Sequence, residues 1–88
     1  MEFEEVFSSK PRMKILVLLN QLSSLNVTDI SRRIGLNYVA TDKHLKILEA
    51  EDIVEAHTYG RVRMFRFKEG SQKAKGVQNL LEVWIQKK

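Results

Sequence analysis

The spacing of apolar residues in the amino-terminal half of the chain predicts three helices. The first is a short amphipathic segment whose apolar positions lie three and four residues apart, at Phe3, Val6 and Phe7. Pro11 suits the first position of a second helix, and a wide apolar stripe extends that helix to about Leu22. Thr28 is the predicted N-cap of the third helix, and Gly35 ends it because glycine readily adopts a left-handed conformation.

The carboxy-terminal half predicts a fourth helix, a β-hairpin and a last helix. Asn37 is the predicted N-cap of a helix that ends near Glu51. The apolar period then changes to two, so residues 53–58 and 61–68 are predicted as strands joined at Tyr59-Gly60. A final helix is predicted over residues 71–86, with an apolar seam at Ala74, Val77, Leu81 and Trp84.

Two helices joined by a glycine-containing turn and followed by a hairpin form the winged helix-turn-helix arrangement. The predicted fold class is therefore mostly α with a β-hairpin (α+β), in a single domain over residues 1–88. We divide this domain into an amino-terminal amphipathic segment (1–9), a winged helix (10–68) and an additional carboxy-terminal dimerisation helix (71–88).

The chain has a net charge of +4, and its charges are unevenly distributed. Residues 30–48 and 56–68 are basic, and an acidic block at residues 49–55 separates them. The hairpin segment has no acidic residue and carries four cations, Arg61, Arg63, Arg66 and Lys68. Two separate basic elements favour a polyanionic partner.

The helix after the turn is narrow enough for the major groove of DNA, and its first turns would face base edges. Its positions away from the buried stripe offer an aromatic ring, an apolar group, a carboxylate and two cations. With the N-cap, the candidate recognition residues are Asn37, Tyr38, Val39, Asp42, Lys43 and Lys46. Arg61 and Arg63 are candidate wing contacts to phosphate or minor groove, and Thr28 is a further candidate for the DNA backbone.

Several of these residues have a purely structural alternative. Lys43 and Lys46 also suit a solvated helix face, although the basic hairpin favours DNA contact. Tyr38 is equally suited to packing on the start of its helix. Asp42 is slightly more consistent with pairing to Lys46 one turn later than with reading a base. His44 lies beside the inward stripe and is expected to be partly buried and hydrogen-bonded.

Composition excludes several classes of function. Cysteine is absent, which excludes disulfides, thiolate metal sites and a cysteine nucleophile. No spacing suggests a catalytic triad, paired carboxylates or a phosphate-binding glycine loop, so neither an enzyme nor a cofactor is expected. The longest apolar run, Ile15–Leu19, is far too short for a membrane span. The acidic amino end does not resemble a signal peptide, and a cytoplasmic location is expected.

Three stretches of the sequence resemble a known family. Residues 34–38, 43–49 and 53–54 are similar to the recognition-helix region of the ArsR-type winged-helix transcription regulators, and of archaeal members in particular. Residues 11–19 are similar to the first core helix of that family, and residues 59–61 to its wing tip. The resemblance implies a homodimeric regulator that reads a palindromic DNA site.

The chain departs from the metal-sensing members of that family. Where the arsenic sensors carry two cysteines, this sequence has Asn26 and Thr28. The last helix contains Glu82 but lacks the histidine ligands of the zinc sensors. No bound metal is therefore expected.

Both ends of the chain carry more large apolar side chains than one side of a small monomer can bury, which indicates an interface. The predicted dimer interface comprises Phe3, Val6, Phe7, Val77, Leu80, Leu81, Trp84 and Ile85. Gly76 costs its helix about 1 kcal/mol relative to alanine, and it favours close approach of a partner helix.

The sequence as a whole predicts sequence-specific binding of double-stranded promoter DNA by a homodimeric transcription regulator. Repression is favoured over activation because it requires only occupancy of the DNA. The alternative is a winged-helix module for protein–protein interaction within a larger assembly, which would use the acidic block and the apolar ends. The sequence indicates no particular small-molecule effector and no membrane partner.

Overall fold

The computed structural model describes residues 1–85. The last residue of the helix predicted over residues 71–86, and the end of the predicted segment 71–88, lie outside the described residues. The amino-terminal half forms α1 (Phe3–Phe7), α2 (Lys10–Leu22), β1 (Leu25–Asn26) and α3 (Val27–Ile34). The rest forms α4 (Tyr38–Ala50), β2 (Val54–Tyr59), β3 (Val62–Phe67) and α5 (Gln72–Ile85). This order is a winged helix-turn-helix with an additional carboxy-terminal helix, as predicted.

The core lies between α2, the α3–α4 pair and the sheet. Ile15, Leu16 and Leu19 of α2 are fully buried, as are Ile30 of α3 and Leu45 of α4. Phe65 closes the core from the sheet side and is also fully buried. These residues lie on the predicted apolar stripes, so hydrophobic burial fixes which faces of α3 and α4 point outward.

The prediction that Thr28 caps α3 is wrong. The side-chain Oδ1 of Asn26 accepts a hydrogen bond from the backbone N–H of Asp29 at 2.8 Å, so α3 begins at Val27. Thr28 therefore lies in the first turn of α3, where its side chain is exposed. Asparagine and threonine are both good N-cap residues, and the extended backbone of β1 places Asn26 at the cap.

The turn between α3 and α4 follows the prediction. Gly35 ends α3 with a φ of 71°, in the left-handed region that favours glycine. Asn37 caps α4, and its Oδ1 accepts from the N–H of Ala40 at 2.8 Å. The Thr41 hydroxyl donates to the carbonyl oxygen of Asn37 at 2.8 Å, which explains how a fully buried polar side chain is accommodated in the stripe of α4.

The sheet has three antiparallel strands in the order β1-β3-β2, one more than predicted. The additional strand, β1, pairs Leu25 with Phe65 and ties the start of α3 to the hairpin. In the hairpin, Tyr59 pairs with Val62, so the turn residues are Gly60 and Arg61 and the turn lies one residue later than predicted. Arg61 is thereby placed at the tip itself.

The last helix packs on the rest of the chain through one narrow side. Ala74 is buried, and Val77 and Leu81 are partly buried against the core. The remaining apolar residues of α5 are exposed: Leu80, Val83, Trp84 and Ile85. Of the four residues in the predicted seam, Ala74, Val77 and Leu81 therefore pack against the core of the chain, and Trp84 does not.

Candidate nucleic-acid interface

The outward face of α4 presents apolar, aromatic and cationic side chains. Tyr38 is 52% exposed and Val39 is 68% exposed, and Lys43 lies one turn further on the surface. Packing of Leu45 and Leu48 into the core holds this face outward. Exposed apolar residues at the start of a helix are suited to contact thymine methyl groups and the faces of bases.

Two of the predicted recognition residues pair with each other. Lys46 Nζ lies 3.3 Å from Asp42 Oδ2, which is the pairing that the structural alternative for Asp42 predicts. The other carboxylate oxygen, Oδ1, is buried and has no hydrogen-bond partner within residues 1–85. The Asp42 carboxylate is therefore turned partly toward the protein, and Lys43 is the cation of α4 that makes no ion pair with another described residue.

The four cations of the hairpin fall into two groups. Arg66 Nε lies 3.1 Å from Glu55 Oε2, and Lys68 Nζ lies 2.9 Å from Asp52 Oδ1, so both pair at the base of the hairpin. Arg61 is exposed in the turn. The guanidinium of Arg63 lies 5.0 Å from the centre of the Phe65 ring, within cation–π distance. Within residues 1–85, the two predicted wing residues therefore make no ion pair, and Arg61 lies at the tip itself.

The acidic block at residues 49–55 is largely neutralised by its neighbours. Lys73 Nζ lies 3.3 Å from Glu51 Oε1, and Asp52 and Glu55 pair with the hairpin cations. The hydrogen bond from Lys68 holds the pKa of Asp52 below its ordinary value. Burial acts to raise the pKa of Glu55, but hydrogen bonds from the Glu69 backbone and from Arg66 outweigh it and lower the pKa. The block is not a free acidic surface.

Helix α3 adds cations that the residue-by-residue reading of the sequence missed. Arg33 is exposed at its last turn, and Arg32 is exposed but pairs with Asp29 at 3.2 Å. Both lie within the basic segment 30–48, whose charge is the only sequence signal for them. Helix α3 leads directly into the turn before α4, so Arg33 is a candidate phosphate contact beside the recognition residues.

Behind the exposed face of α4, His44 is partly buried and contacts Arg12 of α2. The guanidinium Nη1 of Arg12 donates to His44 Nδ1 at 3.0 Å. Burial, and secondly the positive charge of Arg12, lower the pKa of His44 below 6.5. The predicted structural role for His44 is therefore confirmed.

A separate apolar groove of about 500 Å³ lies between α1, α2 and α5. Its apolar lining includes Phe3, Phe7, Met13, Val17, Val77 and Leu80. We call it the α1–α5 groove. The exposed large apolar residues that line it are Met1, Phe3 and Leu80, and Trp84 is 80% exposed further along α5.

At two positions the exposed surface of the chain differs from the predicted dimer interface. Val6 is only 2% exposed and belongs to the core of its own chain, because α1 folds against α2 with Val6 facing inward. Val83 of α5, which the prediction omitted, is exposed beside Trp84. Phe7 and Leu81 are shared between the core and the groove.

Comparison with known families identifies this arrangement. A family model described as "Bacterial regulatory protein, arsR family" matches residues 9–56, from the start of α2 into β2. The chain belongs to the arsR family. It is therefore a DNA-binding regulatory protein, and the matched region contains the helix-turn-helix but ends before the hairpin tip and α5.

Solved structures share the fold of this arsR-family protein at low sequence identity. Reduced HlyU from Vibrio cholerae N16961 has a TM-score of 0.77 and is 22% identical, over 94% of this chain and 84% of that one. The homodimeric winged helix-turn-helix domain of Mb0332 from Mycobacterium bovis has a TM-score of 0.75 and is 23% identical, over 92% and 72%. The transcriptional repressor PagR of Bacillus anthracis has a TM-score of 0.72 and is 22% identical, over 88% and 85%. The search of curated proteins finds no match.

Within residues 1–85 of this arsR-family chain, no group of three or more His, Asp or Glu side chains is arranged to hold a metal ion. The same part of the chain contains no helix that is both long enough and apolar enough to cross a membrane.

Proposed function

We propose that the protein is a homodimeric repressor that occupies a palindromic site in promoter DNA through α4 and the tip of the hairpin. The observation that carries this proposal is the selective pairing of charge. Arg66, Lys68 and Lys46 are paired with carboxylates, whereas Lys43 and Arg61 are exposed and make no ion pair within residues 1–85. Exposed cations without ion pairs on two separate elements favour a polyanion such as duplex DNA as the partner.

In this proposal α4 lies in the major groove. Val39 contacts a thymine methyl group, Tyr38 packs on a base or sugar, and Lys43 donates to a base-edge acceptor. The capping hydrogen bond holds the side-chain amide of Asn37 in place, and in this proposal its NH₂ group donates to the DNA. Asp42 acts indirectly, because its pairing sets the position of the Lys46 ammonium.

Residues on the flanking elements contact the sugar-phosphate backbone. Arg61 at the tip meets phosphate or enters the minor groove, and Arg63 is oriented by the Phe65 ring beneath it. Thr28 and Arg33, exposed near the two ends of α3, donate to phosphates. These contacts position the protein, and α4 supplies the sequence preference.

Dimerisation supplies the symmetry that a palindromic site requires. The α1–α5 groove and the exposed side of α5 form the interface in this proposal, with Phe3, Leu80, Val83, Trp84 and Ile85 covered by the second copy. A two-fold axis there would separate the two α4 helices by about one DNA turn, roughly 34–36 Å. The homodimeric state named for Mb0332 supports this assembly, and the repressor activity named for PagR supports repression.

The alternative of a protein-interaction module loses one of its two supports. It relied on the acidic block as a binding surface, and Glu51, Asp52 and Glu55 all pair with cations of the same chain. The apolar ends are better used by a second copy, because Phe3 and Phe7 of α1 line the same groove as Val77 and Leu80 of α5.

Selection from a pool of random duplexes tests the proposal. We expect enrichment of an inverted repeat whose half-site centres lie about one helical turn apart. Lys43→Ala should change the enriched sequence, whereas Lys75→Ala, a control that removes an exposed cation from α5, should not. Failure to enrich any duplex, or enrichment that both variants alter equally, would contradict the proposal.

A further inference from the structure

Arg12 of α2 joins two elements that have separate roles in the proposed function. Its side chain is buried, with 7% of its surface exposed. The guanidinium donates to the carbonyl oxygens at the end of α1, from Nε to Val6 at 2.9 Å and from Nη2 to Glu5 at 2.7 Å. Its third donor, Nη1, reaches His44 Nδ1 in the middle of α4 at 3.0 Å. One planar group therefore connects α1 to the DNA-facing helix.

The position of this guanidinium depends on α1. Within residues 1–85, Arg12 makes no ion pair with a carboxylate, and its acceptors are two carbonyls and an imidazole. A buried charge without hydrogen-bond partners is strongly unfavourable. If α1 moves away, Arg12 is left with one of its three acceptors and must reorient toward other acceptors or water, which breaks the contact with His44.

Helix α1 is also a wall of the α1–α5 groove. Phe7 lines the groove while packing against the core, and the rings of Phe3 and Phe7 lie 4.9 Å apart on the same helix. With only five residues, α1 cannot be stable alone and holds its place through these contacts and the bonds from Arg12. A group that occupies the groove therefore stabilises α1 in the position that Arg12 requires.

The other end of the connection lies within the recognition helix. His44 follows Lys43 directly and lies two residues before Lys46, so its ring belongs to the same stretch of α4 as both lysines. Burial, and secondly the positive charge of Arg12, lower the pKa of His44, which favours the neutral ring. In the neutral ring with its proton on Nε2, Nδ1 is free to accept from the guanidinium.

We propose that Arg12 is a positioning residue that couples occupancy of the α1–α5 groove to the placement of α4 on DNA. The coupling rests on the proposed function, since it uses the groove as the dimer interface and α4 as the recognition helix. It goes beyond that function by making assembly of the dimer alter the DNA-binding surface itself, in addition to bringing two such surfaces together.

Variants at the two ends of the connection test this coupling. Phe7→Ala loosens α1 from the groove side. His44→Leu removes the acceptor on α4, and His44→Asn is the matched control because its Oδ1 can take the place of Nδ1. Duplex affinity is measured for Phe7→Ala in each His44 background, on the selected inverted repeat and at protein concentrations where sedimentation shows every variant to be dimeric. Backbone amide exchange of α4 is measured on the same proteins without DNA.

We expect Phe7→Ala to weaken duplex binding about tenfold with His44 or His44→Asn, within the usual range of coupling between sites. With His44→Leu the same change should weaken binding less than about twofold, because the link is already broken. Equal losses in all three backgrounds would overturn the coupling and leave Arg12 as a static part of the core. If no variant binds any duplex, the proposed function fails, and the exchange data still decide the coupling. In that case Phe7→Ala must accelerate amide exchange in α4 in the His44 and His44→Asn backgrounds but not in the His44→Leu background. Equal acceleration in the His44→Leu background would contradict the coupling.

Discussion

Trp84 is the residue whose removal should weaken the dimer most clearly. It is 80% exposed in a single chain and makes no contribution to the core, so its loss should leave the fold intact. Full burial of a large apolar side chain contributes about 1.5–3 kcal/mol. A two-fold interface buries the residue twice, which gives about 3–6 kcal/mol for each dimer. Trp84→Ala should therefore raise the dimer dissociation constant by roughly 10²–10⁴-fold.

Sedimentation over a concentration series measures this constant directly. Tyr59→Ala is the matched control, because Tyr59 is also a large exposed aromatic residue but lies on the hairpin, away from the groove. The control should dimerise like the unaltered protein. Leu81 is unsuitable for this test because it packs against the core. A Trp84→Ala protein with an unchanged constant would refute the interface, as would an unaltered protein that is monomeric at tens of micromolar.

Three further predictions concern DNA contact, pH and the last helix. Lys43→Ala should lower the binding free energy by about 1–3 kcal/mol on the selected duplex and by less on random DNA, whereas Arg61→Ala should weaken binding to both alike. Fluorescence anisotropy measures these affinities. Equal losses on both duplexes for both variants would refute the assignment. The folded-state pKa of His44 lies below 6.5, so its contribution to stability is complete above pH 6.5 and is lost as pH falls toward the folded-state pKa. In His44→Asn, the midpoint of urea unfolding should depend less on pH in that range. An unchanged pH dependence would contradict the lowered pKa of His44. Gly76→Ala should stabilise the monomer by up to about 1 kcal/mol, since within residues 1–85 nothing beyond the adjacent helix backbone lies within 4 Å of the added Cβ. The same change should weaken the dimer if a partner helix approaches Gly76. If Gly76→Ala leaves the dimer dissociation constant unchanged, no partner helix approaches Gly76.

The helices could be predicted from sequence because each has an apolar stripe of clear period, and Asn37 and Gly35 mark the turn through local chemistry. Strand β1 could not be predicted, because two residues are too few to show an alternation of apolar and polar positions. They form a strand only through their pairing with β3. The N-cap of α3 is mispredicted for the same reason, because Asn26 is at least as good a cap as Thr28 and its backbone is set by that pairing.

The candidate site was predictable where its contacts are local. The Asp42–Lys46 pair spans one helical turn and follows from spacing alone. The pairing of Lys68 with Asp52 depends on the return of the hairpin, and the Arg12–His44 contact joins residues 32 positions apart. Tertiary structure therefore decides which cations are left without an ion pair and which buried group connects α1 to α4. Neither property leaves a signal in a local sequence pattern.

The affinity for the selected inverted repeat at two salt concentrations tests the central claim most directly. If a dimer neutralises about six to ten phosphates through α3, α4 and the hairpin tip, affinity should fall by roughly 10³–10⁵ between 50 and 200 mM salt. Arg61→Ala should make that dependence shallower, by about one unit of slope in log affinity against log salt for each phosphate that the variant no longer neutralises. An affinity that does not change with salt would contradict the account, as would the absence of duplex binding at 50 mM.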